Sequence, residues 1–393
     1  MPFRLQTAGD WLRYLQNDNR DRSWLLAYED TLINLIRQGL SREVEYHETV
    51  DLLMQLFPYF VKVHAHIEAW SPLLMDALLP AQDLQDNALQ LQVFRWMGEI
   101  FLKDGKHQSA NRVFSIALER ADAGHSKEVL VAVYAGLFKL QWFDVNHKAF
   151  QSLVHHASGI ALTLHDPLLH IELYDSLALA FARLGDFSSA LGYGQTAFVI
   201  AHYRADAAAV AHTAYTLAAV YRQFAHQSQL STPLCLASEF LEIARASIAH
   251  TEYAWQYSLL AYEQAGIYHQ LGDFEAAESW FKQALDEALR LNLPQYVVVA
   301  RHGLGLSQGR LGRYEPARAN LLAALDLWTN LKNHFEQANT HYALADLEYA
   351  AGNHAFARQH LLSASEIVNT LPDTPNTAFL RAQIEELLGA MLS

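Results

Sequence analysis

The side chains best suited to metal binding or nucleophilic chemistry are twenty histidines and a single cysteine, so their spacing is the first test of an active site. A helical zinc site needs two ligands on one face, as in HExxH. His64 and His66 in "HAH" are two apart and face different ways on a helix, and the adjacent His155 and His156 fail likewise. His47 opens "HETVD", which lacks the second histidine, and one cysteine cannot supply CxxC. Cys235 lies in "TPLCLASEF", an apolar helical setting with no positioned base, which predicts a buried and inert thiol. His165 and Asp166 precede Pro167 in "LTLHDPLLH" and read as a capping turn. "GLGLSQG", with Gly303, Gly305 and Gly309, lacks the strand and the third-glycine position of a dinucleotide site. These readings point away from an enzyme and call for no cofactor and no metal.

Composition narrows the class further. The 28 Lys+Arg against 42 Asp+Glu give a formal charge of −14, the wrong sign for a general nucleic-acid binder. A lone cysteine excludes an internal disulfide framework and suits a reducing compartment. The N-terminal "MPFRLQTAGDWLRYLQ" has no apolar signal region, and the most apolar tract, "VLVAVYAGLFKLQWF", carries Lys139 and is too short to cross a bilayer. The expectation is a cytoplasmic protein with no membrane partner. At 393 residues the chain exceeds the roughly 250–300 that one core supports, so it is either several domains or an elongated array.

The elements that would position any functional side chain come from a repeat. "QLGDFEAAESWFKQALDEA" begins at Gln270, and "RLGRYEPARANLLAALDLW" and "AAGNHAFARQHLLSASEIV" follow at intervals of 40. An anchor column reads Ala110, Phe150, Ala190, Ala237, Ala277, Ala317 and Ala357, with one step lengthened by seven residues near 222–233. Seven positions later stand Ala117, Ala157, Ala197, Ala244, Ala284, Ala324 and Ala364, all alanine. Twelve positions before the anchors stand Gly98, Phe138, Ala178, Ala218, Ala265, Gly305 and Ala345. Each unit reads as a helix ending at glycine (Gly105, Gly185, Gly272, Gly312, Gly352), then an N-cap such as Asp186, Asp273 or Asn353, then a second helix. Small residues on one face let neighbouring helices approach to roughly 8–10 Å.

Ala265, Tyr268, Ala277, Phe281 and Ala284 follow the small–aromatic–small–aromatic–alanine signature, as do Gly98, Phe101, Ala110, Phe114 and Ala117. The pattern resembles the tetratricopeptide repeat, with a period of 40 instead of the usual 34. The resemblance implies an all-α fold: a right-handed α-solenoid of stacked helical hairpins with an N-terminal helical cap. The expected layout is a cap over 1–80 with a degenerate repeat, seven hairpins over 81–370, and a closing helix over 371–393. Phe138 and Phe150, where small residues are the rule, predict a local distortion, and Pro58 predicts the end or a kink of its helix.

In this family the first helix of each hairpin lines a concave groove, and the inward stripe falls 18, 15, 11 and 8 residues before each anchor. It selects Arg95, Glu99, Lys139, Trp142, Tyr215, Arg222, Tyr262, His269, His302, Tyr342, Asp346 and Tyr349 as the partner-binding set, with Gln92, Glu172, Asp175, His212 and Asn339 beside them. The stripe does not reproduce the lysine–asparagine clamp that chaperone-binding members use for a C-terminal carboxylate. The resemblance implies a non-enzymatic scaffold for a protein or peptide of basic character. The cap-plus-seven-hairpin layout is also similar, in architecture alone, to bacterial quorum-peptide receptors of the Rap type, which combine peptide sensing with control of another protein.

Overall fold

The computed structural model describes residues 6–17, 22–63, 70–121, 126–140, 147–249, 255–371 and 373–391. Over these residues the protein is all-α, with nineteen α-helices, two short 3-10 turns and no strand. Two compact units are distinguished, Met1–Gly136 and Leu137–Ser393, called unit 1 and unit 2 below. No helix among the described residues is long and apolar enough to cross a membrane.

Unit 1 contains α1 (Ala8–Asn17), α2 (Glu29–Leu40), α3 (Tyr46–Val63), α4 (Trp70–Asp83), α5 (Asn87–Lys103), α6 (His107–Arg120) and the greater part of α7 (Lys127–Leu140). Its core is built of rings: Phe57 lies tilted at 4.4 Å from Trp96, and Phe60 lies 4.9 Å from Trp70. α3 continues past Pro58 to Val63, so the helix does not end there. Proline removes one backbone hydrogen bond. Leu52, Leu53, Leu56, Phe57 and Phe60, on both sides of the break, are fully buried, and that packing outweighs the lost bond. Phe114 occupies the space left by Gly98 and Gly136, where a Cβ would stand 2.3 and 2.4 Å from its ring.

Unit 2 is an α-solenoid. α8 (His147–Ala161) is followed by the hairpins α9 (Pro167–Arg183) with α10 (Phe187–Tyr203), α11 (Ala207–Ser228) with α12 (Thr232–Ile248), α13 (Trp255–Leu271) with α14 (Phe274–Arg290), α15 (Pro294–Arg310) with α16 (Tyr314–Asn330), and α17 (His334–Ala350) with α18 (His354–Val368). α19 (Pro375–Ala390) closes the series, held by Leu380 and Ile384 in one apolar cluster with Leu361 and Val368. The first helices pack on one another in sequence, α9 on α11, α11 on α13, α13 on α15 and α15 on α17. Each second helix packs on the first helices before and after it, so the first helices form the inner layer of the curve.

The small columns do what their size allows. Ala157, Ala190, Ala197, Ala237, Ala244, Ala277, Ala317, Ala324, Ala357 and Ala364 are all completely buried. Asp186 and Asp273 accept hydrogen bonds from Ser189 and Ala276 backbone amides as N-caps, and Asp166 caps α9 through Leu168. Asn353 does not cap with its side chain; its amide donates to Glu348 at 2.7 Å instead. Phe138 and Phe150 are both buried; their rings meet edge to face at 5.7 Å, and Phe150 continues to Phe181 at 5.2 Å. The seven extra residues lengthen α11 to 22 residues, where α9, α13, α15 and α17 each have 17. Cys235 is exposed on α12, not buried, because it lies two residues before the packed Ala237 and faces outward.

Candidate functional site

The inward stripe of unit 2 carries its large polar and aromatic side chains on the inner layer, and most of them are tied to a neighbour about one repeat away. Lys139 stands 3.5 Å from Glu172, and His212 3.1 Å from Asp175. Arg222 grips Glu263 with two bonds of 2.5 and 3.2 Å and lies 5.8 Å over the ring of Tyr262. His269 Nδ1 is 3.0 Å from Ser307 Oγ, and His302 Nδ1 is 3.0 Å from Thr340 Oγ1. Arg310 reaches Asp346 at 3.5 Å. The pairs span successive first helices, so each helix holds the rotamers of the next.

Enclosure sets the electrostatics of this layer. Burial pushes the hydroxyls of Tyr262 and Tyr296 up to about 12, and that of Tyr215 well above its ordinary value with Glu263 adding to the effect. Burial brings His269 and His302 down to about 4, so both rings are neutral near pH 7. Burial also opposes charge on His212, but Asp175 beside it prevails and raises its pKa. Glu336 is raised by burial as well. Arg222 is different: burial is outweighed by Glu263, and the guanidinium stays charged. Asp175 is 2% exposed, and its Oδ1 has no hydrogen-bond partner in the protein.

The expected residues do not all share this surface. Tyr215, Arg222, Tyr262, His269 and His302 lie together along α11, α13 and α15, with Lys139 toward the start of unit 2. Asp346 joins them through Arg310, while Tyr342 packs partly against the cluster that anchors α19. Tyr349 turns to His354, with ring centres 5.3 Å apart. Arg95 and Glu99 belong to unit 1, where they pair with each other along α5 at 2.9 Å. Trp142 falls outside the described residues. Gly303 and Gly305 serve packing: a Cβ on Gly303 would stand 2.3 Å from Phe281, and one on Gly305 2.7 Å from Leu321. Sequence spacing missed Glu263, Tyr296, Ser307, Thr340 and Arg310. The legible signal was a polar partner about one period away, since Arg222–Glu263, His269–Ser307 and His302–Thr340 are separated by 41, 38 and 38 residues. Among the described residues no three histidine, cysteine or carboxylate side chains are grouped to hold a metal.

A tetratricopeptide-repeat family model matches residues 256–330 and again 296–370, the stretch carrying α13 to α18. Among solved structures, a Rap protein complexed with competence and sporulation factor has a TM-score of 0.55 at 16% identity, over 88% of this chain and 99% of that one. Aspartyl phosphate phosphatase F from Bacillus subtilis has a TM-score of 0.52 at 14% identity, over 92% of this chain and 87% of that one. No curated protein matches significantly in sequence. At these identities the structural likeness speaks for the fold, and it agrees with the buried alanine columns and the family match. Residues 256–370 are of the tetratricopeptide-repeat type, and the chain as a whole shares the fold of such proteins.

Proposed function

We propose that the inner face of unit 2 is a binding groove for a peptide, or an extended segment of a partner protein, that carries a basic group. The observation that carries this reading is Asp175. A carboxylate with one oxygen on His212 and the other unpartnered is costly when almost fully buried. Glu172, paired with Lys139, stands one turn away on the same helix, and a ligand ammonium or guanidinium would satisfy the open oxygen of Asp175. The tyrosines along α11, α13 and α15 supply rigid rings with a polar tip, the residue type that dominates recognition surfaces. Cross-helix pairing keeps these groups in place before a ligand arrives, which lowers the entropy cost of binding. We read the groove as a binding and not a catalytic surface: His269 and His302 rest on Ser307 and Thr340, whose hydroxyls donate to the Gly303 and Glu336 carbonyls.

A second reading, a peptide-sensing regulator of another protein, is supported by the fold likeness that spans nearly the whole of the Rap protein solved with competence and sporulation factor. It shares the groove with the first reading and adds an output surface.

Panning a phage-displayed random heptapeptide library on the full chain tests the groove. Enriched peptides rich in Lys or Arg are expected to lose about tenfold or more in affinity for Asp175→Asn, the scale of one charge-assisted contact. Tyr262→Ala is expected to weaken them as well. Enriched peptides that bind both variants as well as the wild type would overturn the groove assignment.

A further inference from the structure

The first turn of α19 does more than follow the last hairpin. Asn376 donates from its side-chain amide to the backbone carbonyl of Arg183 at 3.3 Å, across a separation of 193 residues. One turn on, the Phe379 ring stands 5.9 Å from His226, nearly perpendicular at 80°. His226 lies in the extra turn that the seven-residue insertion adds to α11, and it is one turn beyond Arg222 on the same face. The neighbouring Gln227 reaches the C-terminal turn of α9, where its Oε1 would be 3.4 Å from a Cβ on Gly185. Three elements distant in sequence thus converge at one end of the first helices: the end of α9, the extension of α11 and the start of α19.

The contact is thin. Phe379 remains 49% exposed and His226 is exposed too, so little apolar area holds it shut. The rest of α19 is fixed elsewhere. Its start is set by a Thr374–Thr377 capping box, and Arg381 is tied to the Val368 and Leu371 carbonyls of the last hairpin. A helix held by the last hairpin that meets α9 and α11 through two side chains can lose those two contacts and keep its anchorage.

We propose that the extension of α11 and the first turn of α19 form a clasp that closes the groove beside the Arg222–Glu263 pair and admits bulky ligands only when it parts. The inference rests on the inner face of unit 2 being a groove, but its test needs no ligand. The clasp also explains why the insertion interrupts an otherwise constant period: without the extra turn α11 would end short of Phe379.

The test compares two thiols in one chain. Asn339→Cys places a thiol on the inward stripe, and native Cys235, exposed on α12, reports the outer surface. Labelling is followed by mass spectrometry with N-ethylmaleimide and with a polyethylene-glycol maleimide of protein-like bulk. When Asn376→Ala and Phe379→Ala are added together, the bulky-to-small rate ratio at the introduced inner thiol should rise about tenfold, the factor expected when two weak contacts that hold a closed state are lost. The ratio at Cys235 should not move. Spin labels at Gln227 and Ala378, in a Cys235→Ser background, should give one narrow distance in the otherwise native chain and a longer, broader one in the double variant. An unchanged distance would show that the two side chains hold nothing. A changed distance with an unchanged labelling ratio would show that the clasp opens but does not gate the groove. Either result overturns the proposal. Failure of the peptide selection would leave both measurements intact and would count against the groove's ligand alone.

Discussion

The core of unit 1 is made of large rings, and that of unit 2 of alanine. Trp11, Trp70, Trp96, Phe57 and Phe60 are at most 1% exposed in the first, whereas the second closes on columns of fully buried alanines seven residues apart. Large rings fill an irregular space once, and nothing in such a core needs to recur. Alanine columns fix one helix-to-helix distance and repeat it, which leaves the big side chains free to face inward. The difference separates two roles: unit 1 has its aromatic groups committed to packing, and unit 2 presents Tyr215, Tyr262 and Tyr296 beside charged partners.

The comparison can be broken by changing volume in opposite directions. Trp96→Ala should cost about 3–5 kcal/mol, because a buried ring packed against Phe57 leaves a cavity its neighbours cannot close. Hydrogen exchange should show lost protection in α3 and α5. Ala284→Phe should cost about 1–3 kcal/mol through overpacking, since Ala284 is 1% exposed between α13 and α14, and exchange should rise in those helices. If Ala284→Phe is neutral, the column does not set a helix contact and unit 2 is not built as argued.

What could be read from the sequence follows the same division. The alanine columns, the glycine turns and the aspartate caps recur at 40 residues, and recurrence lifts them above chance. Unit 1 carries a single copy of the columns, at Gly98, Ala110 and Ala117, and nothing periodic marks α3 as continuous past Pro58: the rule for an isolated proline does not include the buried apolar residues on either side. On the inner face, the stripe found both members of Lys139–Glu172 and His212–Asp175 but missed Glu263, Ser307, Thr340 and Arg310. Arg222 lies on the stripe, but Glu263 lies one residue off it and is visible only once α11 and α13 are side by side. The clasp was beyond reach for the same reason, since nothing in the order of residues places Asn376 near Arg183.

Titration sharpens the contrast between packed and paired groups. His269 and His302, brought down to about 4 by burial, bind fewer protons in the folded chain than in the unfolded one between that value and the ordinary 6.5. Their contribution is therefore complete above about pH 6.5 and is lost as pH falls toward 4. Urea midpoints should drop over this window, and His269→Asn/His302→Asn should flatten the drop by about 1–2 kcal/mol, a figure kept low because both rings still meet solvent. An equal slope in the double variant would place both rings in water and remove them from the enclosed face.

The smallest effect tests the turns on which the repeat depends. Inside hairpins the left-handed residue is mostly glycine, at Gly185, Gly272, Gly312 and Gly352, with φ between 72 and 82°. Between hairpins the same conformation is forced on Ala205, Asn292 and Lys332, with φ of 52, 52 and 55°. A Cβ in that region costs roughly 1–2 kcal/mol, whereas glycine adopts it freely but loses more entropy on folding. Ala205→Gly should therefore stabilise the chain by about 0.5–1 kcal/mol. Lys332→Gly should gain about as much, and Asn292→Gly least, because asparagine tolerates the left-handed region. The reverse change, Gly272→Ala, should cost about 1 kcal/mol at a turn with open space around it, so the loss is purely conformational. Thermal midpoints of the four variants give the ranking. If Ala205→Gly destabilises, the turn between α10 and α11 is held by something other than its backbone angle, and the two kinds of turn are not equivalent.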